Sequence, residues 1–336
     1  MERTDALKAI MEKILEYDKI VISRHIRPDG DAAGSSGGLC GLLRASFPDK
    51  TVIVCNSDRS RKMGFLSVPE TSPGELPEGW FGDALAIVTD TATSDRISNP
   101  RISEAGFIIK IDHHIDTERY GDINWIEDGR ASCSEMIAIF ASAFPDRLKL
   151  TPEAAACLYT GIVTDTGRFR HRGVDAGTFN AAAFLLGSGI DTEKIYAELY
   201  LDDISFLKYK SAVYDSIELT PNGVAYVFIP LSMRDRFGLD AESASLAVSF
   251  LESIRGSLIW IAFIENGSDD PAGAGTVRVR LRSRFLDIDA VAAKYGGGGH
   301  ARAAGATLRD REEITDVLAD ADRLLGEFKS ANADLI

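Results

Sequence analysis

Residues Val21–Gly34 read VISRHIRPDGDAAG, and this stretch decides the fold. The apolar run Ile20, Val21 and Ile22 has the character of a short buried strand, and it leads directly to His25. Pro28, Asp29, Gly30 and Asp31 follow in a tight loop bent by glycine and proline. An imidazole and two carboxylates are thereby set at the carboxyl end of a strand, where open α/β sheets place their ligand sites. Carboxylate and imidazole without thiolate suit a harder divalent ion such as manganese better than structural zinc.

The same arrangement recurs along the chain. TVIVC (51–55) reads as a second strand, ALAIV (84–88) as a third running into Asp90, and Gly106–Ile111 as a fourth running into Asp112, His113 and His114. Helical spacing is found over residues 4–17, from Gly34 to Phe47, from about Ser134, and from Pro152 to about Thr160. That last helix leads into GIVTDTGRFRH, which carries Asp165; residues 56–80 read as a loop or lid. Strands alternating with helices predict the α/β class, with a mostly parallel sheet and helices on both faces. The composition changes after residue 190. Residues 1–190 are expected to form a metal-binding domain, 191–216 a helical linker, and 217–336 a smaller α+β domain. In the latter, strands are expected at 223–230, 257–265 and 276–284, with helices near 241–253, at Asp287–Lys294 and at Glu312–Phe328.

A chain of 336 residues predicts about two domains, and a hydrophobic content of 45% supplies an ordinary globular core. No apolar run approaches the roughly 20 residues that cross a bilayer, and the charged N-terminus is unlike a secretory signal. Cys40, Cys55, Cys133 and Cys157 lack C-x-x-C spacing and sit among apolar neighbours, so buried free thiols in a reducing cytoplasm are expected. The net charge of −14 repels long polyanions. Partners should therefore be small: a metal ion, a nucleotide or a very short oligonucleotide. Neither a membrane nor long nucleic acid is expected, and a homodimer is allowed.

Three of the five histidines fall beside carboxylates at strand ends, and His300 follows four glycines. Asp29 and Asp31 taken alone would pass as turn formers, and Asp165 as a helix cap. Taken jointly, H-x-x-P-D-G-D-A, the lone Asp of VTDTA, D-H-H and G-x-x-T-D-T-G-x-F resemble, in order, the four motifs of the DHH phosphoesterase superfamily. GGGGHARAAG (296–305) resembles the signature of the DHH-associated domain, and DINWIEDGRASCSEMI looks like the oligoribonuclease and 3′-phosphoadenosine-5′-phosphate phosphatase branch.

The resemblance implies two divalent ions, Mn²⁺ first with Mg²⁺ or Co²⁺ as substitutes. His25 and Asp29 would bind one, Asp31 and His113 the other; Asp90 would bridge them and Asp165 would complete the second site. Such a pair clamps the oxygens of an in-line displacement at phosphorus. His114 would touch the scissile phosphate or give a proton to the leaving oxygen, and Asp112 would orient its histidine neighbours. Arg282, His300 and Arg302 would grip the far end of the substrate, with Gly298 and Gly299 approaching a phosphate or base. The expected activity is hydrolysis of short oligoribonucleotides, dinucleotides such as linear diadenylate, or 3′-phosphoadenosine-5′-phosphate to nucleoside 5′-monophosphates. An inorganic pyrophosphatase or polyphosphatase, a single-strand exonuclease, and a non-catalytic nucleotide-binding regulator are the competing readings.

Two features stand apart from the motifs. In TVRVRLRSR, Val277, Val279 and Leu281 alternate with Arg278, Arg280, Arg282 and Arg284. Arg282 is the best placed for phosphate capture, and the other three read equally as a salt-bridged face. His171 reads as a surface or helix-start residue.

Overall fold

The computed structural model describes residues 3–171 and 173–332, and of His300 the backbone alone. The chain divides into two compact units, residues 1–201 and 202–336.

The first unit runs α1 (Arg3–Glu16), β1 (Lys19–Ser23), α2 (Gly30–Ser46), β2 (Thr51–Cys55), β3 (Glu70–Thr71), β4 (Ala84–Thr89), β5 (Phe107–Asp112), β6 (Ile123–Ile126), α3 (Cys133–Ala143), α4 (Pro152–Asp165), α5 (Ala176–Leu186) and α6 (Thr192–Tyr200). Its six strands form a sheet of order β3-β2-β1-β4-β5-β6 in which every neighbouring pair is parallel. The α/β class and the parallel sheet are as expected. Ile20, Ile22, Val52, Val54, Leu85, Ile87, Ile109 and Ile111 share one face, and the α-helices pack on it in a single buried cluster. The opposite face (Val21, Cys55, Ala84, Ala86 and Val88) is covered by loop and 3-10 residues such as Phe81, Ile97 and Ile102. The expected α-helices on this second face are thus replaced by short turns, because the connections from β2 to β4 and from β4 to β5 hold no long amphipathic segment. Cys40, Cys55, Cys133 and Cys157 are free and buried.

The helix read as starting after Gly34 starts at Gly30, so Asp31 stands in its first turn rather than in the loop. Glycine disfavours helix in isolation, which hides this start in GDAAGSSGG. Packing reverses the preference. A Cβ on Gly30 would lie 2.2 Å from Thr164 Oγ1, and one on Gly34 would lie 2.6 Å from the Cys157 carbonyl oxygen and 2.9 Å from Gly161 N. These absent side chains let α2 lie against α4 and so bring Asp31, at the start of one, to Asp165, at the end of the other. Gly34→Ala should therefore destabilise the protein by about 1–3 kcal/mol in urea unfolding. In an unobstructed helix interior the same change stabilises by about 0.5–1 kcal/mol, so the sign decides the argument.

The second unit runs α7 (Ile204–Asp215), β7 (Glu218–Leu219), β8 (Ala225–Ile229), α8 (Leu231–Phe237), α9 (Ala241–Ala244), α10 (Ala247–Phe250), β9 (Ile259–Glu265), β10 (Val277–Ser283), α11 (Asp289–Lys294), β11 (Gly298–His300), β12 (Ala303–Leu308) and α12 (Glu313–Ala331). The sheet order is β11-β12-β10-β9-β8-β7, with β8 and β9 parallel and the other pairs antiparallel. One face packs against α11 and α12, the other against α7, α9 and α10.

Candidate metal centre

Strand geometry delivers the donors. His25 follows β1 and is held by a bridge to Ile97; Asp90 follows β4; Asp112 ends β5, with His113 next. Neighbouring parallel strands therefore present His25, Asp90 and His113 at one sheet edge, and α2 and α4 add Asp29, Asp31 and Asp165.

All six side chains expected to bind metal are brought together. His25, Asp29 and Asp90 form one group, and Asp31, His113 and Asp165 another, each with donor atoms within 4.8 Å of one another. Asp90 joins them: Oδ2 lies 3.5 Å from His25 Nε2, and Oδ1 lies 3.4 Å from His113 Nε2. His113 Nε2 is also 3.4 Å from Asp165 Oδ2 and 3.8 Å from Asp31 Oδ2. Asp90, His113 and His114 make a third grouping.

Neighbouring backbone fixes the rings and carboxylates. His25 Nδ1 donates to the Ile26 carbonyl at 2.8 Å, and His113 Nδ1 to that of Arg130 at 3.2 Å, so each Nε2 is free to act as a ligand. Asp29 caps α2 by accepting the N–H groups of Asp31 and Ala32. Asp31 accepts those of Cys133 and Ser134, at 2.6 and 2.9 Å, from the start of α3. Asp90 holds a left-handed φ of 54°, strained backbone at a functional site.

The electrostatics call for a cation. Burial, reinforced by the charges of Asp90 and Asp165, pushes Asp31 well above the usual carboxylate range. Burial raises Asp165 to about 6, with His113 opposing and Asp90 and Asp29 adding to the rise. Burial alone would lower His25 and His113, but Asp29 and Asp90 raise the first, and Asp90 and Asp31 the second, to about 10. Asp90 Oδ1 is buried without a hydrogen-bond partner among the described residues. Crowded carboxylates whose burial raises Asp31 and Asp165, and a buried oxygen between two imidazoles, fit divalent cations.

Beside this cluster, Asp112 Oδ1 accepts a hydrogen bond from His114 Nδ1 at 2.8 Å. The His114 side chain is 43% exposed, so its Nε2 is open to a substrate. Exposed His171 is more than a surface residue: its Nδ1 donates to the Asp165 carbonyl at 2.8 Å. Left-handed residues at Gly167, Arg168 and Phe169 fold the chain back to allow it. The helix expected from about Ser134 begins at Cys133, where Ser132 and Glu135 carry the spacing of a helix cap. That its first N–H groups hold Asp31, and that the Arg130 carbonyl orients His113, was not foreseen.

The remaining candidates lie in the second unit. Arg282 pairs with Ala303, and Ala303 with His300, so Arg282, the turn residue Arg302 and the His300 backbone meet at one end of the sheet. Arg278 and Arg280 are spent on Glu242, at 2.7 and 3.4 Å, and Arg284 donates to the Glu252 carbonyl. Among the described residues, Arg282 donates to the carbonyl of its own neighbour Leu281. With Arg280, Trp260, Ser245 and Ser249 it lines a pocket of about 400 Å³. Burial and the Arg280 charge lower its pKa. Gly298 and Gly299 lie in β11 rather than in an open anion-binding loop. The close approach of β12 explains the run: a Cβ on Gly299 would meet the Ala303 carbonyl oxygen at 2.5 Å, and one on Gly297 that of Gly305 at 2.1 Å. Gly298 faces open space.

Comparison with known proteins agrees with both units. Residues 19–162 match the N-terminal domain of the DHH family, and residues 222–327 match the DHHA1 domain. The chain is 34% identical to the bifunctional oligoribonuclease and PAP phosphatase NrnA of Bacillus subtilis, over 95% of this chain and 99% of that one. It is 31% identical to the protein of the same name from Mycoplasma genitalium, over 94% and 96%. A crystal structure of an exopolyphosphatase-related protein from Bacteroides fragilis has the same fold, with a TM-score of 0.82 at 23% identity over 96% of this chain and 98% of that one.

Proposed function

This chain belongs to the DHH family and is a phosphoesterase hydrolase; from that premise we propose that it cleaves short oligoribonucleotides, dinucleotides such as linear diadenylate, and 3′-phosphoadenosine-5′-phosphate to nucleoside 5′-monophosphates. The observation that carries the reading is Asp90, one oxygen of which faces His25 while the other faces His113. In this reading His25, Asp29 and Asp90 hold one divalent ion, and Asp31, His113, Asp165 and Asp90 a second, with Mn²⁺ the favoured metal. Bound there, the ions would neutralise the scissile phosphate and lower the pKa of the attacking water.

The chain's own residues do the rest. Asp112 holds His114 by Nδ1, leaving Nε2 to give a proton to the leaving oxygen. Asp31, tethered to the start of α3, fixes the second group of donors. Arg282, which forms no ion pair among the described residues, offers its guanidinium to a phosphate, with Arg302 and His300 at the same sheet end. The net charge of −14 supports short substrates, since long polyanions are repelled.

The test is a substrate panel with Mn²⁺. Turnover of a dinucleotide and of 3′-phosphoadenosine-5′-phosphate should exceed that of pyrophosphate and of a 20-mer. Arg282→Ala should raise KM about 10- to 100-fold with little change in kcat. Preference for pyrophosphate or for the 20-mer would contradict the reading.

A further inference from the structure

Lys110 interrupts the apolar strand FIIKID, and such a lysine normally reaches solvent. Here it is fully buried. Alternation along β5 puts Lys110 on the same side as Asp112, the face opposite the α-helices. Its ammonium donates to the Ala92 carbonyl at 2.7 Å and the Glu118 carbonyl at 2.8 Å. The first belongs to the loop that carries Asp90, the second to the loop after His113 and His114. The ammonium also lies 4.8 Å over the Tyr120 ring, whose hydroxyl donates to the Thr91 carbonyl. One buried cation thus ties both loops to the strand between them.

Lys110 Nζ is also 3.2 Å from Asp112 Oδ2. That oxygen is buried and has no hydrogen-bond partner among the described residues, whereas Oδ1 holds His114. A carboxylate buried without a counter-charge is costly and would turn toward any donor or take up a proton. The ammonium removes that pressure, so Asp112 keeps its orientation and His114 keeps Nδ1–H bonded and Nε2 free.

We propose that Lys110 is a positioning residue for phosphoester cleavage, acting through Asp112 on His114. This rests on the role assigned above to His114. The test uses Lys110→Met, which removes the charge and the donors, and Lys110→Gln, whose amide can still donate to the two carbonyls. Each is made in the wild-type and His114→Ala backgrounds and assayed on a dinucleotide with Mn²⁺. The expected result is a fall in kcat of about a hundredfold with KM within about threefold. In the His114→Ala background the further loss should be under about threefold, since the residue it acts through is gone.

A second readout needs no metal. The imidazole ¹⁵N shifts of His114 in the metal-free protein should report the Nδ1–H tautomer in the wild type and a mixture in Lys110→Gln. An undiminished loss in the His114→Ala background, a wild-type kcat in both lysine variants, or an unchanged tautomer overturns the proposal. So does failure of both variants to fold, because the ammonium would then serve the fold alone. His114→Ala with wild-type kcat overturns the role of His114 and this inference with it. A low kcat for His114→Ala beside unaffected lysine variants overturns Lys110 alone.

Discussion

Asp90→Asn is expected to lower kcat by at least about a thousandfold while leaving the protein folded. The substitution keeps the shape of the side chain, and asparagine tolerates the left-handed φ of 54° that Asp90 adopts. What it removes is the charge between His25 Nε2 and His113 Nε2. Asp90 belongs to the first group of donors and lies 3.4 Å from His113 of the second, so under the proposed reading its loss weakens two sites at once. Circular dichroism checks the fold, and steady-state turnover of a dinucleotide reads the effect. A folded variant with near-wild-type kcat would show that Asp90 does not join two catalytic cation sites.

The second large effect concerns the protein stripped of metal. Chelation should abolish turnover, and Mn²⁺ should restore it. The metal-free protein should also become less stable as pH rises. His25 and His113 titrate near 10 in the folded chain against an ordinary value near 6.5. Their stabilisation is fully present below about 6.5 and is lost as pH climbs toward 10. Asp165, raised to about 6, has the same sign, because the folded state again holds more protons than the unfolded one. Asp29 works in the opposite sense at the acid end. Burial opposes the fall, but the bond to His25 and the backbone N–H groups lower it to about 2, so its contribution fades as pH drops below its ordinary value near 3.8. Thermal melts of chelated protein should therefore show stability declining between about pH 6.5 and 10, and Mn²⁺ should recover more of it at the alkaline end. A flat profile through that window would mean that the imidazoles do not stand in for cations.

The donors were legible in the sequence for a physical reason. Each lies at a strand end or a helix end, where short apolar runs and turn residues mark the position independently of distant contacts. His25, Asp90 and His113 are readable for that reason, and a parallel sheet then carries them to one edge. What escaped depends on packing between segments far apart in the chain. The start of α2 at Gly30 is set by Thr164 and Gly161 on another helix. β11 and β12 consist of GGH and AAGATL, poor strand formers that become strands by pairing with each other and with β10. α5 and β6 are hidden for the same reason: exposed Phe179, Phe184 and Leu186 blur the helical period of AGTFNAAAFLL, and INWI becomes a strand by pairing with β5. Lys110 shows the limit most plainly: nothing in FIIKID marks it, and the loops closed over it make it a buried cation.

The central claim is that Asp90 joins two cation sites, and anomalous diffraction from crystals grown with Mn²⁺ tests it most directly. The account predicts two manganese peaks, one in contact with His25 and Asp29, the other with Asp31, His113 and Asp165, and both in contact with Asp90. A single peak, or two peaks that do not share Asp90, would contradict it.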